Sequence, residues 1–218
     1  MSDSNGGLPM PQTPNTPSLM LIGDSIFDNA VYVEPSERCV TDHCRALLAG
    51  WNVQLWAVDG ANAADIPIQV GSQEPPSNAV AVMSVGGNDA LAYQHLLFGG
   101  RWSSSNPLAE LHDIREQFRS VYNRALDAWE SLNVPITTCA IYNCNFPEPE
   151  MQAAATTGIA LFNDVIFVES RRRALPVIDL RNVCTDPVHY ANPIAPSEAG
   201  GLAIARAITD AYRSTENS

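Results

Sequence analysis

The stretch Leu19-Met-Leu-Ile-Gly-Asp-Ser25 decides the fold, because an apolar run ends there abruptly at Gly23. Such a run is typical of a buried parallel strand that carries a polar side chain to the edge of a sheet. In open α/β folds, ligands bind at the carboxyl ends of these strands. Ser25 is therefore the first candidate functional residue.

Strand-like and helix-like segments alternate along the rest of the chain. The segment 19–22 is the first predicted strand; four more are predicted at 53–58, 79–85, 134–142 and 177–180, and helices at 37–49, 61–70, 108–132, 151–172 and 198–212. This alternation indicates a parallel sheet with helices on both faces. The expected fold class is α/β, a three-layer α/β/α sandwich around a five-stranded parallel sheet.

The length of 218 residues is typical of a single domain, which we place at 18–218. Residues 1–17 are polar and rich in Pro, Ser, Asn and Gly, so we expect a flexible N-terminal tail rather than a secretory signal. No apolar run approaches the ~20 residues that span a bilayer, and no membrane partner is expected.

The net charge limits the classes of partner, and the cysteine content indicates the compartment. The net charge of −12 disfavours nucleic acids and anionic lipid surfaces. An odd number of cysteines without an export signal suggests free thiols in a reducing compartment, so we expect a cytoplasmic protein. The pairs Cys39/Cys44 and Cys139/Cys144 have marginal spacing for zinc, and buried structural thiols are favoured over a metal site.

A second polar motif, Asp186-Pro-Val-His189, lies near the C-terminus. Together with Ser25 it supplies the hydroxyl, imidazole and carboxylate of nucleophilic acyl transfer. Each part has a plainer interpretation, since Ser25 could cap a helix and Asp186 with His189 could form a surface ion pair. The sequence alone leaves both interpretations open.

Two candidate hydrogen-bond donors follow the second and third predicted strands. Gly60 comes after one, and Asn88, in Gly86-Gly87-Asn88, comes after the other. A parallel sheet brings these strand ends to the same edge as Ser25, where a glycine N–H and an Asn amide can bind a developing oxyanion. Taken alone, Gly60 could be a turn glycine and Asn88 a helix cap. Their occurrence in this order with Ser25 and the Asp-x-x-His motif favours the catalytic interpretation.

These motifs together resemble the four blocks of the SGNH hydrolase superfamily, also called GDSL-type esterases and lipases. The resemblance spans roughly residues 18–213, and Ile26 stands where the family usually has leucine. The matching blocks are Gly23-Asp24-Ser25, Gly60 in Val58-Asp59-Gly60-Ala61-Asn62, Gly86-Gly87-Asn88-Asp89 and Asp186-Pro-Val-His189.

The resemblance implies a flavodoxin-like SGNH hydrolase fold and a role for each residue. Ser25 would be the nucleophile, His189 the general base and acid, and Asp186 the group that orients His189. The Ser25 N–H, the Gly60 N–H and the Asn88 side chain would form the oxyanion hole. The rival α/β-hydrolase motif Gly-x-Ser-x-Gly is absent, because Phe27 stands two residues after Ser25.

The expected activity is that of a serine esterase without cofactor or metal. No lid is evident from the sequence, so we expect an open site acting on short-chain acyl esters or small acylated molecules. Acyl transfer to an acceptor other than water, and a non-catalytic binding module on the same fold, remain the alternatives. Five aromatic residues near the motifs could line an acyl pocket or simply belong to the core: Phe27, Tyr93, Phe98, Trp102 and Tyr190.

Overall fold

The computed structural model describes residues 16–96 and 105–216, with side chains as far as residue 213. The predicted tail, 1–17, lies outside the described residues except for its last two. Phe98 and Trp102 also lie outside them.

Five parallel strands form one sheet, as predicted. Their order is β2-β1-β3-β4-β5, which is the flavodoxin-like order. In the centre of the sheet, Leu21 of β1 pairs with Leu55 on one side and with Val82 on the other. The strands are β1 (Ser18–Gly23), β2 (Asn52–Leu55), β3 (Ala79–Ser84), β4 (Ile136–Ala140) and β5 (Val177–Asp179).

This order puts a topological switch point beside β1. The chain leaves β1 to form β2 on one side and then crosses to form β3 on the other. Crevices at switch points, outside the carboxyl ends of the strands, are where open α/β sheets bind ligands. Ser25 follows β1 by two residues and lies at this position.

Helices cover both faces of the sheet. The elements α1 and α6 pack together on one face, whereas α2, α4 and α5 pack on the other. The helices are α1 (Val40–Leu47), α2 (Ile66–Gly71), α3 (Gly87–Leu91), α4 (Pro107–Glu130), α5 (Pro149–Arg172) and α6 (Glu198–Glu216). The three-layer α/β/α sandwich expected from the sequence is confirmed.

The side chains of β1 show how the two layers are specified. Met20 and Ile22 belong to the core under α2, α4 and α5, and Leu19 and Leu21 to the core under α1 and α6. All four are fully buried. A continuous apolar run is what a strand covered on both faces requires.

Two predicted helices begin later than their periodicity indicates. The helix predicted from residue 37 begins at Val40, whose N–H donates to the Asn29 side chain at 2.9 Å. The helix predicted from residue 61 begins with a 3₁₀ turn, Ala63–Asp65, that Asn62 caps, and α2 follows it. In both places a polar side chain fixes the helix start by satisfying an N–H that would otherwise lack a partner.

Among the described helices, only α5 is long and apolar enough to cross a membrane, a judgement of length and composition alone. Its Phe162, Val165 and Ile166 are buried in the core beside the sheet. Its buried Glu169 forms an ion pair with Arg119 of α4, with 3.2 Å between the charged atoms. These contacts place one side of α5 in the core beside the sheet.

Candidate active site

The turn after β1 depends on glycine. Gly23 has φ +132°, and a Cβ there would lie 1.7 Å from the carbonyl oxygen of Ser84, so no other residue fits. The Gln69 side chain satisfies both polar groups of Gly23, accepting from its N–H at 3.0 Å and donating to its carbonyl oxygen at 2.8 Å. The Asp24 N–H then donates to Ser84 across the sheet. The close contact of Gly23 and Asp24 with β3 fixes the direction of the chain at Ser25, where the chain leaves the sheet.

Asp24 is a buried carboxyl directly before the candidate nucleophile. It is 3 % exposed, and one of its oxygens accepts a 3.1 Å hydrogen bond from the Ile26 N–H. Burial raises the pKa of Asp24 to about 7, and the nearby charges of Asp89 and Asp59 raise it as well. The carboxyl therefore exchanges its proton near neutral pH, although it is not one of the predicted site residues.

The candidate oxyanion donors lie in two linked turns. Gly60 has φ +79°, a conformation that favours glycine, although a Cβ there would touch nothing within 4 Å. The Asn88 amide donates to the carbonyl oxygen of Ala61 at 2.8 Å. An amide nitrogen carries two hydrogens, so this bond fixes the side chain and leaves one donor.

Asp89 adds a second link between the same turns. Its carboxylate accepts a 3.0 Å hydrogen bond from the Ala63 N–H. Asn88 and Asp89 both belong to α3, a five-residue helix that starts three residues after the end of β3. No pattern in the sequence predicts α3, because a helix of five residues is too short to show a periodicity.

A single large cavity joins three of the five predicted site residues. Its volume is about 1080 Å³, and Ser25, Gly60 and Asn88 all line it. Among the described residues, no hydrogen bond uses the N–H of Ser25 or of Gly60. Two backbone donors and one amide hydrogen are thus available in the wall of the cavity that carries the Ser25 side chain.

His189 ends a 3₁₀ turn, Pro187–His189, in the segment after β5, and Asp186 caps the start of this turn. Neither residue lines the cavity. The Asp186 carboxylate accepts a 2.9 Å hydrogen bond from the Val188 N–H, and the His189 Nδ1 accepts from the Asp186 N–H at 3.3 Å. A direct bond between the carboxylate and the imidazole is not among the hydrogen bonds of the described residues. An Nδ1 that accepts in this way leaves the ring proton on Nε2.

The hairpin after His189 leads directly to the cavity. The Ser197 N–H donates to the His189 carbonyl oxygen at 2.9 Å, and Ala191 pairs with Ala195 at the same distance. The tip of this hairpin, residues 192–195, lines the cavity. The imidazole-bearing residue therefore precedes the cavity wall by three positions in the chain.

Two further contacts fix the backbone of this turn. The Tyr190 hydroxyl lies within hydrogen-bond distance of the carbonyl oxygens of Asn143, at 2.7 Å, and of Cys184, at 2.9 Å. Gly200, at the start of α6, passes so close that a Cβ there would lie 2.0 Å from the His189 carbonyl oxygen. The position of His189 thus depends on contacts with the end of β4 and with α6.

The aromatic residues named as pocket candidates have different positions. Tyr93 lines the cavity, Phe27 is fully buried in the core, and Tyr190 anchors the His189 turn. Among the helices, α5 contributes the most lining residues, although the sequence predicted it only as a helix. The signal that could have revealed this wall is Gly158, a glycine in the middle of a long helix.

The cysteines do not form paired ligand sites. All five are free thiols, and Cys39, Cys44, Cys139 and Cys184 are buried, as expected. Cys144 is half-buried and lines the cavity, and burial raises the pKa of its thiol to about 11. Across residues 16–96 and 105–216, no three His, Cys, Asp or Glu side chains are grouped so that they could hold a metal ion.

Comparison with solved structures shows which fold this is. A lipolytic protein of the G-D-S-L family from Veillonella parvula has 14% sequence identity and a TM-score of 0.65, over 88% of this chain and 96% of that one. An extracellular lipase from Streptomyces rimosus has 15% identity and a TM-score of 0.69, over 89% and 99%. The chain has the SGNH hydrolase fold. A lipase from a goat rumen metagenome shares this fold at 17% identity and a TM-score of 0.67, over 90% and 97%.

The SGNH fold emerges here from structure and not from overall sequence similarity. No protein-family model matches the sequence, and the search of curated proteins found no match. The SGNH resemblance noted in the sequence therefore rests on a few short blocks, each placed at the end of a strand or in the last turn.

Proposed function

We propose that the protein is a serine ester hydrolase. One observation carries this proposal: Ser25, Gly60 and Asn88 come from the ends of three different strands and line the same cavity. Acyl transfer requires a nucleophile next to donors that already point to the developing negative charge. The structural neighbours include lipases and an acetyl xylan esterase, which supports the same class of reaction.

In the first step, the Ser25 hydroxyl attacks the ester carbonyl while His189 takes its proton. The carbonyl oxygen becomes negatively charged and is bound by the N–H groups of Ser25 and Gly60 and by the free amide hydrogen of Asn88. His189 then gives its proton to the leaving alcohol, and an acyl-Ser25 ester remains. No residue other than these needs to change its protonation state.

In the second step, His189 takes a proton from a water that attacks the acyl ester, and it returns this proton to the Ser25 oxygen as the acid is released. For both steps the imidazole needs its proton on Nδ1 and a free Nε2. We propose that the ring turns so that Nδ1–H donates to the Asp186 carboxylate in place of its 3.3 Å contact with the Asp186 N–H. One carboxylate oxygen already accepts from Val188, and the other is available for this bond.

A panel of 4-nitrophenyl esters tests this proposal with the wild type and Ser25→Ala. We expect turnover by the wild type and a loss of at least about 10³-fold in kcat for the variant. Short acyl esters, expected from the sequence, fit the cavity and are the place to begin. Ser72→Ala is a matched control, because Ser72 is the C-cap residue that follows α2 and lies outside the cavity lining. Equal turnover by the wild type and Ser25→Ala would refute the assignment.

The same active site can transfer the acyl group to an alcohol instead of water. Adding a primary alcohol to the assay and measuring the ratio of new ester to free acid separates the two reactions. We propose hydrolysis as the main outcome, with a small ester as substrate and no nucleic acid or membrane partner.

We also propose that the protein works in a reducing compartment such as the cytoplasm. Its five cysteines are all free thiols, which supports this location.

A further inference from the structure

The cavity beside Ser25 extends well beyond the catalytic groups. One wall is formed by α3 and the turn after it, by α4 and by one face of α5. Across this wall there is no charged residue among those that the structure describes, and the polar side chains are Asn88 of the oxyanion site, Tyr93, Gln94 and Thr157. The apolar side chains include Leu91, Leu96, Leu111, Ile114, Leu161 and Phe162.

The size of the cavity exceeds the needs of a small acyl group. Its volume of about 1080 Å³ is slightly above the range of about 300–1,000 Å³ typical of small-molecule sites. A methylene is about the size of a water molecule, ~30 Å³, so a ten-carbon chain needs only about 300 Å³. A medium-length alkyl chain therefore fits with room to spare, and an acetyl group leaves most of the space empty.

Gly158 leaves open space beside α5 at the wall of the cavity. It lies within α5, a 24-residue helix, where glycine is less favourable than alanine. A Cβ at this position would meet no atom within 4 Å, whereas one at Gly86 would lie 3.0 Å from the Phe118 ring. No neighbour excludes a side chain at 158, and the space next to it is the cavity that Gly158 lines.

The neighbours of Gly158 on the helix form a continuous surface. Ala154 and Ala155 lie four and three residues before it, and Leu161 and Phe162 lie three and four residues after it, which puts all of them on one face. All four line the cavity. The Phe162 ring also contacts the Tyr93 ring, with 6.4 Å between ring centroids. This contact joins α5 to the turn after α3.

The proposed chemistry decides which part of the ester occupies this wall. The general acid protonates the leaving alcohol, so the alcohol lies on the side of His189 and of the hairpin tip, 192–195. The acyl group then points the other way, between α3, α4 and α5. This step depends on the proposed function.

We propose that the α3–α4–α5 wall binds the acyl chain, that the preferred substrates are esters of unbranched acids of about eight to twelve carbons, and that Gly158 sets the depth available to that chain. The chain-length preference follows from burial, because each methylene moved from water to an apolar wall improves binding about fourfold. The sequence analysis expected short-chain esters, and the volume and apolar wall of the cavity support the longer chains proposed here.

A chain-length series with matched helix variants tests this assignment. kcat/KM is measured with 4-nitrophenyl esters of two, four, eight and twelve carbons for the wild type, Gly158→Leu and Ala160→Leu. Ala160 lies on the exposed side of the same helix and outside the cavity lining. We expect kcat/KM to rise at least tenfold from two to eight carbons in the wild type and in Ala160→Leu, and this ratio to fall at least tenfold in Gly158→Leu.

A binding measurement separates the failure of this inference from the failure of the proposed function. Nile red is bound to Ser25→Ala and displaced with 1-decanol, and the titration is repeated with Ser25→Ala/Gly158→Leu. Weaker displacement in the double variant supports an alkyl site at Gly158 even if no ester is hydrolysed. The acyl site does not lie at this wall if the wild type hydrolyses all four esters equally well. The same holds if Gly158→Leu changes neither the kcat/KM ratio nor the displacement of Nile red. Ester hydrolysis by Ser25 is tested separately by Ser25→Ala.

Discussion

The Asn88 amide nitrogen lies 2.8 Å from the carbonyl oxygen of Ala61, and this hydrogen bond joins the turns that follow β2 and β3. Both turns contribute to the wall around Ser25, because Gly60 and Asn88 line the same cavity. The bond holds the amide in one orientation, so its second hydrogen has a fixed direction before any substrate arrives. Pre-arranged donors of this kind stabilise a transition state without reorganisation during the reaction.

We expect Asn88→Ala to lower kcat by about 10²–10³-fold, the usual effect of removing one oxyanion donor, with a small change in KM. Asn62→Ala is the control, because Asn62 accepts from the Ala64 N–H in a helix cap and does not line the cavity. It should cost about 1 kcal/mol of stability and leave kcat unchanged. Steady-state kinetics and thermal unfolding of both variants check this prediction, and equal kcat values for the two variants would contradict it.

Gly60→Ala and Gly50→Ala form a second matched pair. Gly60 has φ +79° and Gly50 has φ +90°, and a Cβ at either position would touch nothing within 4 Å. Each change should cost roughly 1–2 kcal/mol of stability, because only the backbone conformation is strained. Gly60→Ala should also reduce kcat at least tenfold, since relaxing the strain moves an oxyanion N–H.

Gly50 lies in the turn before β2, outside the cavity lining, so Gly50→Ala should keep the wild-type kcat. Guanidinium unfolding and initial rates measure the two effects separately. The role of the Gly60 N–H would be wrong if both variants lost stability equally and neither lost activity.

The buried Asp24 predicts a pH dependence of stability. Its pKa is raised to about 7, chiefly by burial, whereas an unfolded Asp titrates near ~4. Between these values the folded state holds a proton that the unfolded state has lost, so stability falls as pH rises from about 4 to 7. Over this pH range the free energy of unfolding should fall by a few kcal/mol in total. Asp24→Asn keeps an acceptor for the Ile26 N–H and has no proton to lose.

The free energy of unfolding of the wild type, measured relative to Asp24→Asn, should therefore be higher at pH 5 than at pH 8. Urea unfolding of both proteins at the two pH values gives this difference. Asp113→Asn, at an exposed position on α4, provides the control and should show little change with pH relative to the wild type. A wild-type–Asp24→Asn difference that is the same at pH 5 and pH 8 would contradict the prediction.

Glycine at position 158 should carry a cost in stability that alanine removes. The Gly158 Cβ position is open, so Gly158→Ala should stabilise the protein by about 0.5–1 kcal/mol and raise Tm by about 1–4 °C. Gly200→Ala should have the opposite effect, because its Cβ would lie 2.0 Å from the His189 carbonyl oxygen. Thermal unfolding measures both shifts, and a lower Tm for Gly158→Ala would show that the position is crowded.

The sheet and the large helices could be predicted because their signals are local. The apolar run before Gly23 specifies a strand covered on both faces, and the spacing of Ile114, Phe118 and Trp129 specifies the buried side of α4. The start of α1 could not be predicted, because it depends on the Asn29 side chain, which lies eleven residues before Val40.

The candidate site could be predicted only in part, because only some of its signals are local. Strand ends placed Ser25, Gly60 and Asn88 together, because parallel strands share one edge. The sequence did not reveal that α5 forms a wall of the cavity, since a helix with Ile159 and Phe162 in its apolar stripe looks like any core helix. The hydrogen bonds of Asp186 and His189 depend on a single short turn, and no pattern in the sequence specifies them.

Covalent labelling tests the central claim, that Ser25 is the nucleophile, most directly. The protein is treated with a fluorinated alkyl phosphonate, and the modified peptide is identified by mass spectrometry. The account predicts one adduct, on Ser25, which Ser25→Ala abolishes and Ser84→Ala keeps. Ser84 also lines the cavity, so an adduct on Ser84, or labelling that persists in Ser25→Ala, would contradict it.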